Sequence, residues 1–308
     1  MTTSKSPYSV RKSIEAHLKT QSANTGIEQH KLRRQFTLSR FLARVFATDP
    51  DGWILKGGTG MMVRLPNARH SKDIDLLATR TSDAIASLRA VGQDDFDHFR
   101  FDIISERQLA EDRGTTLSVA ARLGTQVFDK FSIDIVEHER VLVGEIEGHP
   151  LPLLLNTEDF REDVTIRLYP LADQIADKLC AMYEVRTDNR GRTRESGRYR
   201  DLVDLLLISQ NLSIDLAATV EATNAERLRR NIEQLPAALV SPGDTWRANW
   251  SRYAADGPLD ADLRELDTAL AEAGTCYDRI LSNLPRTTDI RIWSCREQTW
   301  SPPSGLNR

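Results

Sequence analysis

The chain reads Lys56-Gly57-Gly58-Thr59-Gly60 and then Ser71-Lys72-Asp73-Ile74-Asp75-Leu76. Asp73 and Asp75 alternate with apolar residues, which predicts a strand whose two carboxylates project from the same face. Two like charges held that close repel each other unless a cation lies between them. Mg²⁺ is the hard cation that commonly joins carboxylates to a phosphorylated substrate, so the pair indicates a candidate metal site.

Gly57 and Gly58 follow a predicted strand that ends at Lys56, and they precede a predicted helix over 59–65. Glycine lets the backbone approach a phosphate, and the N–H groups at a helix start favour anions. A phosphate cradle followed by a carboxylate pair is the outline of a nucleotidyl-transfer site. Taken alone, each motif also has a non-functional interpretation. The glycine pair could form an ordinary tight turn, and the two aspartates could be solvated residues at a strand end. The sequence contains neither a P-loop nor a G-x-G-x-x-G fingerprint.

Length, composition, net charge and cysteine content limit the classes of protein that fit this sequence. The chain has 308 residues, of which 40% are hydrophobic and 28% charged, as in a soluble protein of one large or two ordinary domains. Its net charge of −4 means that a nucleic-acid partner would need a local basic patch. Cys180, Cys276 and Cys295 favour neither a disulfide framework nor a zinc site. Without an apolar run of about 18 residues or a signal peptide, we expect a cytoplasmic protein with no membrane partner.

Apolar periodicity predicts an α/β half followed by a helical half. The boundaries are 1–165 for the core with its N-terminal helices and 166–308 for a helical domain that completes the active site. Strands are predicted over 53–56, 74–78, 99–104, 116–123, 127–136 and 164–168, with weaker ones over 141–146 and 151–155. Later helices are predicted over 171–182, 199–209, 215–235 and 259–283. The last 20 or so residues, with Trp293 and Trp300, are predicted to form a tail that runs along the surface.

Asp134 interrupts the apolar strand over 127–136, on the face away from Phe131, Ile133 and Ile135. Two-metal phosphoryl chemistry requires a further carboxylate on a neighbouring strand, and Asp134 is the candidate. The alternative is that Asp134 belongs to the solvent face of an amphipathic strand.

Three residues of the helical half are candidates for the site. Lys178 lies beside an apolar helix stripe, so it could reach a triphosphate as a point charge or simply snorkel to the surface. Asp201 and Asp204 share one face of a nearly all-apolar helix, where a buried carboxylate needs a partner. That partner could be Arg198 or Arg200 in a structural ion pair, and Asp201 could also orient Lys178 or a substrate group.

A basic loop lies between these two helices. Within fifteen residues it carries six arginines against two acidic residues, a local balance of +4. The candidates for RNA binding are Arg190, Arg192, Arg194 and Arg198. A flexible basic loop suits contacts with a phosphate backbone, and the alternative is an ordinary solvated loop.

Four motifs in order resemble those of the AbiEii/AbiGii nucleotidyltransferase toxins, a family that includes the mycobacterial MenT toxins. They are Lys56–Gly60, Ser71–Leu76, Gln174–Leu179 and Arg198–Leu205. The resemblance implies a DNA polymerase β-like nucleotidyltransferase core with a mixed sheet, a helical C-terminal region, and the toxin half of a bacterial toxin–antitoxin pair. It also implies Mg²⁺-dependent transfer from a nucleoside triphosphate. In the MenT branch, pyrimidine nucleotides go to the 3′ end of tRNA, which blocks aminoacylation and translation.

The resemblance assigns roles by position. Gly57, Gly58 and Thr59, after Lys56, match the phosphate-binding motif. Asp73 and Asp75 match the metal dyad, Lys178 the nucleotide-contacting lysine and Asp201 the acid of the last motif. Arg64 is a further candidate for offsetting charge on the leaving phosphates. The alternative activities are transfer to a small molecule, as by an antibiotic-modifying enzyme, or to a protein.

Ser71 is a candidate for regulatory phosphorylation. A phosphate there would bring about −1.5 to −2 charges beside the dyad and compete with substrate phosphates. Modification of Ser71 would then be a route by which an antitoxin switches the enzyme off. The alternative is a serine that merely ends the loop before the strand.

Overall fold

The computed structural model describes residues 6–65, 67–80, 83–93, 97–109, 114–137, 141–152, 154–155, 160, 163–187, 191, 193–255 and 257–303. Two of the RNA-binding candidates, Arg190 and Arg192, lie outside the described residues. The chain divides into two compact units. The first comprises Met1–Pro66, His70–Arg140 and Ile146–Tyr169, and the second comprises Asn67–Arg69, Val141–Glu145 and Pro170–Arg308.

The first unit is a mixed sheet with helices. Its elements are α1 (Pro7–Thr25), α2 (Gln29–Thr48), β1 (Trp53–Lys56), α3 (Gly57–Arg64), β2 (Asp73–Ala78), α4 (Ala84–Gln93), β3 (Phe99–Gln108), β4 (Thr115–Leu123), β5 (Gln126–Glu137), β6 (Glu147–Pro150) and β7 (Thr165–Leu168). The described strands form a seven-stranded sheet in the order β3-β4-β5-β2-β1-β7-β6. Strand β2 is parallel to β5 and β1 to β7, whereas the other neighbours are antiparallel.

Hydrophobic alternation fixes the register of the two central strands. Ile74 and Leu76 of β2, and Ile133 and Ile135 of β5, are fully buried in the core shared with α1 and α2. Each such side chain contributes about 1.5–3 kcal/mol on burial. A slip of one residue would turn the intervening acidic residues into this core, so the acidic residues are held on the opposite face.

The two weaker strand predictions are wrong. The described residues of 141–146 and 151–155 are not in strands, and the strand lies between them as β6, paired with β7. In the first segment, the backbone N–H groups of Val143 and Gly144 donate to the buried carboxylate of Asp173. A side chain from a helix therefore takes the place of a neighbouring strand as the hydrogen-bond acceptor.

The second unit is mainly helical. Its elements are α5 (Leu171–Tyr183), β8 (Arg186–Thr187), β9 (Thr193–Arg194), α6 (Tyr199–Asn211), β10 (Ile214–Asp215), α7 (Leu216–Arg229), α8 (Asp244–Ala255), a 3₁₀ turn (Asp262–Arg264), α9 (Leu266–Ser282), β11 (Ile292–Ser294) and β12 (Thr299–Ser301). Helix α6 is buried along most of its length and packs against α5, α8 and α9. The predicted fold class, a mixed α/β core with a mixed sheet followed by helices, is confirmed.

The predicted surface tail is wrong. Its two tryptophans lie in a hairpin of β11 and β12, where Trp293 is 0% and Trp300 9% exposed. The indole N–H groups of Trp293 and Trp300 donate to the carbonyls of Ser209 and Cys276. Each ring thus buries a large apolar area and satisfies its polar atom, which ties the end of the chain to α6 and α9.

Among the described residues, no helix combines the length and the apolar character needed to cross a bilayer.

Candidate active site

A row of four polar side chains crosses the sheet at Asp75. In register, Lys56 of β1 lies opposite Asp75 of β2, Asp75 opposite Asp134 of β5, and Asp134 opposite Thr116 of β4. The hydroxyl of Thr116 donates to Asp134 Oδ1 at 2.7 Å. Paired residues of neighbouring strands share a face, so the candidates Asp75 and Asp134 are brought together. Asp73 lies on the same face, two residues before Asp75.

Asp73 is held by two hydroxyl groups. Ser71 Oγ donates to Asp73 Oδ1 at 3.0 Å, and Thr59 Oγ1 donates to the backbone carbonyl of Asp73 at 2.5 Å. Ser71 and Thr59 are each 4% exposed. The hydroxyl that the sequence marked for phosphorylation is therefore enclosed and directed at a dyad carboxylate.

Gly57 lies against Asp75 of the dyad. It opens helix α3 with a φ of +60°, and a Cβ there would lie 1.9 Å from Asp75 Oδ2. Only glycine meets both demands without strain, because it tolerates a left-handed backbone and leaves room for the carboxylate. The helix start at Gly57, which precedes Gly58 and Thr59, thus lies directly against Asp75.

Two basic candidates of the first unit have partners there. The Lys56 ammonium lies 4.3 Å from the ring centroid of Tyr169. The guanidinium of Arg64 donates to Glu147 Oε2 at 2.9 Å and to the carbonyl of Tyr169 at 3.0 Å, with a side chain only 3% exposed. Burial raises the pKa of Glu147, but His149 and Arg64 outweigh it and lower that pKa overall. This arrangement favours a structural role for Arg64 over contact with a leaving phosphate.

The carboxylates can be tested for fit to a divalent cation. Within the described residues, no three acidic, histidine or cysteine side chains gather closely enough to hold a metal by themselves. Mg²⁺ needs less, since it is usually bound by one or two carboxylates, several waters and the phosphates of a substrate. Asp73 and Asp75 supply hard oxygen donors on one face, and neither is fully buried, so the donor set fits.

The second unit brings three predicted residues together. Lys178 Nζ of α5 donates to Asp204 Oδ2 at 2.5 Å and to Asp201 Oδ1 at 3.2 Å, both on α6. Burial lowers the pKa of Lys178, but Asp204 and Asp201 outweigh it and raise the pKa overall. Burial likewise raises the pKa of Asp204, and the charges of Lys178 and Arg69 lower it overall. Lys178 is thus held as an ammonium by two carboxylates.

Asp204 also binds a second cation, Arg69, which the sequence pattern does not indicate. Arg69 donates to both oxygens of Asp204, at 2.8 and 2.9 Å. The suggested partners Arg198 and Arg200 are wrong for Asp204. Its observed partners lie 26 and 135 residues away in the sequence, so periodicity within α6 offers no signal for either.

The basic loop is partly described. Strand β8 pairs with β9, which places Arg186 opposite Arg194. Arg194 and Arg198 are exposed, and Arg198 precedes the first turn of α6. Glu195 accepts hydrogen bonds from the backbone N–H groups of Asp244 and Thr245. These two groups at the start of α8 have no acceptor within the helix. The loop is therefore anchored at Glu195, and its arginines Arg194 and Arg198 are exposed.

A mixed sheet with carboxylates on two adjacent strands, facing a glycine that opens a helix, is the arrangement expected of a nucleotidyltransferase. The family model described as "Nucleotidyl transferase AbiEii toxin, Type IV TA system" matches residues 40–272. The chain belongs to this family, and the resemblance seen in the four motifs is confirmed. Family membership implies a nucleotide substrate and an antitoxin partner.

The solved structure of a nucleotidyltransferase toxin has a similar fold. MenT4, a nucleotidyltransferase toxin of Mycobacterium tuberculosis H37Rv, is 18% identical, with a TM-score of 0.54, over 83% of this chain and 93% of MenT4. A putative nucleotidyltransferase from Helicobacter pylori is 15% identical, with a TM-score of 0.47, over 85% of this chain and all of that one. JHP933 from Helicobacter pylori is 15% identical, with a TM-score of 0.46, over 83% and 93%. No curated protein sequence matches the chain.

Proposed function

We propose that this protein transfers a nucleotide from a nucleoside triphosphate to the 3′ end of tRNA, blocking aminoacylation and hence translation in the cytoplasm. The observation that carries the transfer chemistry is the register of Asp75 with Asp134, beside Asp73 on the same face. Family membership supports nucleotidyl transfer, while the tRNA acceptor and a pyrimidine nucleotide rest on the resemblance to the MenT toxins.

Asp73 and Asp75 would hold Mg²⁺, with Asp134 as a further ligand on the next strand. The ion would supply positive charge that draws the triphosphate to the dyad and offsets charge during transfer. Ser71 and Thr116 orient the carboxylates of Asp73 and Asp134, and Thr59 holds the backbone of Asp73 through its carbonyl. These contacts hold the carboxylates in place before substrate arrives.

The transfer is an in-line displacement at the α-phosphorus. The 3′ hydroxyl oxygen of the RNA forms the new bond to phosphorus and loses its proton to water, while the bond to the bridging oxygen breaks and pyrophosphate leaves. The N–H groups at the start of α3, from Gly57 to Thr59, would receive phosphate oxygens. Lys178 is assigned to the nucleotide by its place in the third motif, with Asp201 holding its ammonium.

The acceptor RNA would be bound by arginines of the basic loop. Arg194 and Arg198 are exposed, and Arg190 and Arg192 belong to the same stretch of sequence. Replacing Arg194 and Arg198 by alanine should weaken tRNA binding and flatten its dependence on salt, because each phosphate contact releases counterions. Transfer to a very short oligonucleotide acceptor should be less affected than transfer to whole tRNA.

The test of this function is incubation with each α-labelled triphosphate, Mg²⁺ and total RNA, with added cell protein and small metabolites, followed by sizing of the label. Label on tRNA-sized RNA, lost in Asp73→Ala that folds normally, is the expected result. Label on polypeptide or on a small molecule would instead establish one of the two alternative activities. An Asp73→Ala variant that still labels tRNA would show that the site lies elsewhere.

A further inference from the structure

We propose that Arg69 is a positioning residue for Lys178: Arg69 holds Asp204, and Asp204 in turn holds the Lys178 ammonium in the place where it meets a substrate phosphate. This inference rests on the proposed function, because it gives Lys178 a nucleotide to contact. It adds a residue outside the four motif stretches to the machinery of the second unit.

Arg69 and Asp204 form a bidentate, charge-assisted ion pair, which is a strong type of contact. Nε of Arg69 donates to Oδ1 at 2.8 Å and Nη2 donates to Oδ2 at 2.9 Å, so the guanidinium meets the carboxylate as a two-pronged fork. Asp204 is 0% exposed. A lysine could not make both contacts in this geometry, because its ammonium is a single point charge.

Asp204 shares one oxygen between two cations. Oδ2 accepts from Arg69 at 2.9 Å and from Lys178 at 2.5 Å, and Asp201 Oδ1 accepts from Lys178 at 3.2 Å. Two positive and two negative side chains thus balance in a place where an unpaired charge would be very costly. Because Arg69 offsets much of the negative charge of Asp204, that charge is not balanced by Lys178 alone.

Because Arg69 also pairs with Asp204, the ammonium of Lys178 can still contact a substrate phosphate. Its ammonium carries three hydrogens, and Asp201 and Asp204 take two of them. The third hydrogen would be donated to a phosphate oxygen of the substrate. Without Arg69, the uncompensated charge of Asp204 would draw the ammonium towards itself and away from Asp201.

A double-mutant cycle separates positioning from a merely structural role. Arg69→Gln should lower kcat/KM for the triphosphate about tenfold, mainly through KM, since coupling energies between such neighbours correspond to factors of that order. Lys178→Gln should lower it further. In the Lys178→Gln background, Arg69→Gln should cost almost nothing more, because the side chain through which Arg69 acts is already gone. Arg69→Lys keeps the positive charge but loses the bidentate contact, so its kcat/KM should lie between the values for wild type and Arg69→Gln.

The control is Arg44→Lys, which disturbs another buried arginine–aspartate pair, with Asp97, on the core side of the first unit. It should lower the melting temperature without changing KM for the triphosphate. Equal losses from Arg69→Gln in both backgrounds, or no loss in either, would overturn the role of Arg69 while the proposed function stands. A wild type that transfers no nucleotide to any acceptor would overturn the proposed function and this inference together.

Discussion

Asp75 and Asp134 lie directly opposite each other on neighbouring parallel strands. Strands lie about 4.8 Å apart, so two carboxylates in register on one face repel each other. The apolar residues that alternate with them bind the strands in this register, because any slip would bury the acids. The fold therefore holds two like charges close together, and a bound cation would offset their repulsion.

Asp134→Asn should stabilise the protein while impairing transfer. The amide removes one charge from the pair and can still accept the hydrogen bond from Thr116, so unfolding in chelator should require about 0.5–1 kcal/mol more free energy. Transfer should fall about a hundredfold if Asp134 binds the metal. Urea denaturation with EDTA and a labelled-transfer assay measure the two effects. A variant that is both less stable and fully active would contradict the assignment.

Gly57→Ala should abolish transfer, whereas Gly60→Ala should preserve it. A Cβ on Gly57 would lie 1.9 Å from Asp75 Oδ2 on a left-handed backbone, so the carboxylate must move. A Cβ on Gly60 would lie 3.3 Å from Leu55 O, a contact that requires that oxygen to move only a few tenths of an ångström. Initial rates for the two variants, with circular dichroism to check folding, make the comparison. Equal activity of the two would show that the helix start does not contact the dyad or its ligands.

Ser71→Glu should inactivate the enzyme, and Ser71→Ala should retain most of its activity. Ser71 is enclosed and donates to Asp73 Oδ1 at 3.0 Å, so a negative group there would oppose both the carboxylate and substrate phosphates. The alanine variant loses one hydrogen bond, worth about 0.5–1.5 kcal/mol. Mass spectrometry of toxin co-expressed with its antitoxin tests the regulatory route. Unmodified Ser71 in fully neutralised toxin would exclude that route.

The pH dependence of stability should change in Asp204→Asn. The pKa of Asp204 is lowered in the folded protein from an ordinary value of 3.8. Its contribution to stability is therefore present above pH 3.8 and is lost as the pH falls through the lower, folded pKa. The variant should lose about 3–5 kcal/mol at pH 7, as expected for a broken buried pair, and its stability should fall less steeply in acid.

The matched control for this experiment is Asp267→Asn. Asp267 pairs with Arg247 on the surface, where both side chains are more than two-thirds exposed. Its removal should leave stability at pH 7 almost unchanged, since exposed pairs contribute little. Denaturation between pH 2 and pH 7 compares the three proteins. An Asp204→Asn variant with the acid profile of wild type would show that the pair does not contribute as described.

Local pattern was enough to predict most elements of the fold. Alternation and helical periodicity identified the central strands and α5 and α6, because each buries one apolar face. Helix α8 was missed because its buried residues are only Trp246, Trp250 and Ala254, a single narrow stripe in a polar segment. The terminal hairpin was missed because its order depends on carbonyls of Ser209 and Cys276, which are distant in sequence.

The candidate site was predictable where the chemistry is local. Asp73, Asp75 and the glycine turn are close in sequence, and Asp134 was found because it interrupts an apolar strand. Pairing across long loops was not predictable from this one sequence. Arg69 finds Asp204 135 residues later, and Arg64 meets Glu147 83 residues later, since such partners are selected by tertiary packing.

The most direct test of the proposed function is transfer of α-labelled nucleotide to purified tRNA, with its 3′ terminus either intact or oxidised by periodate. Oxidation converts the terminal ribose diol to aldehydes and removes the attacking hydroxyl. We expect that wild type labels intact tRNA at its 3′ end, that oxidised tRNA is not labelled, and that Asp73→Asn labels neither. Equal labelling of intact and oxidised tRNA, or labelling by Asp73→Asn at the wild-type rate, would contradict the proposed function.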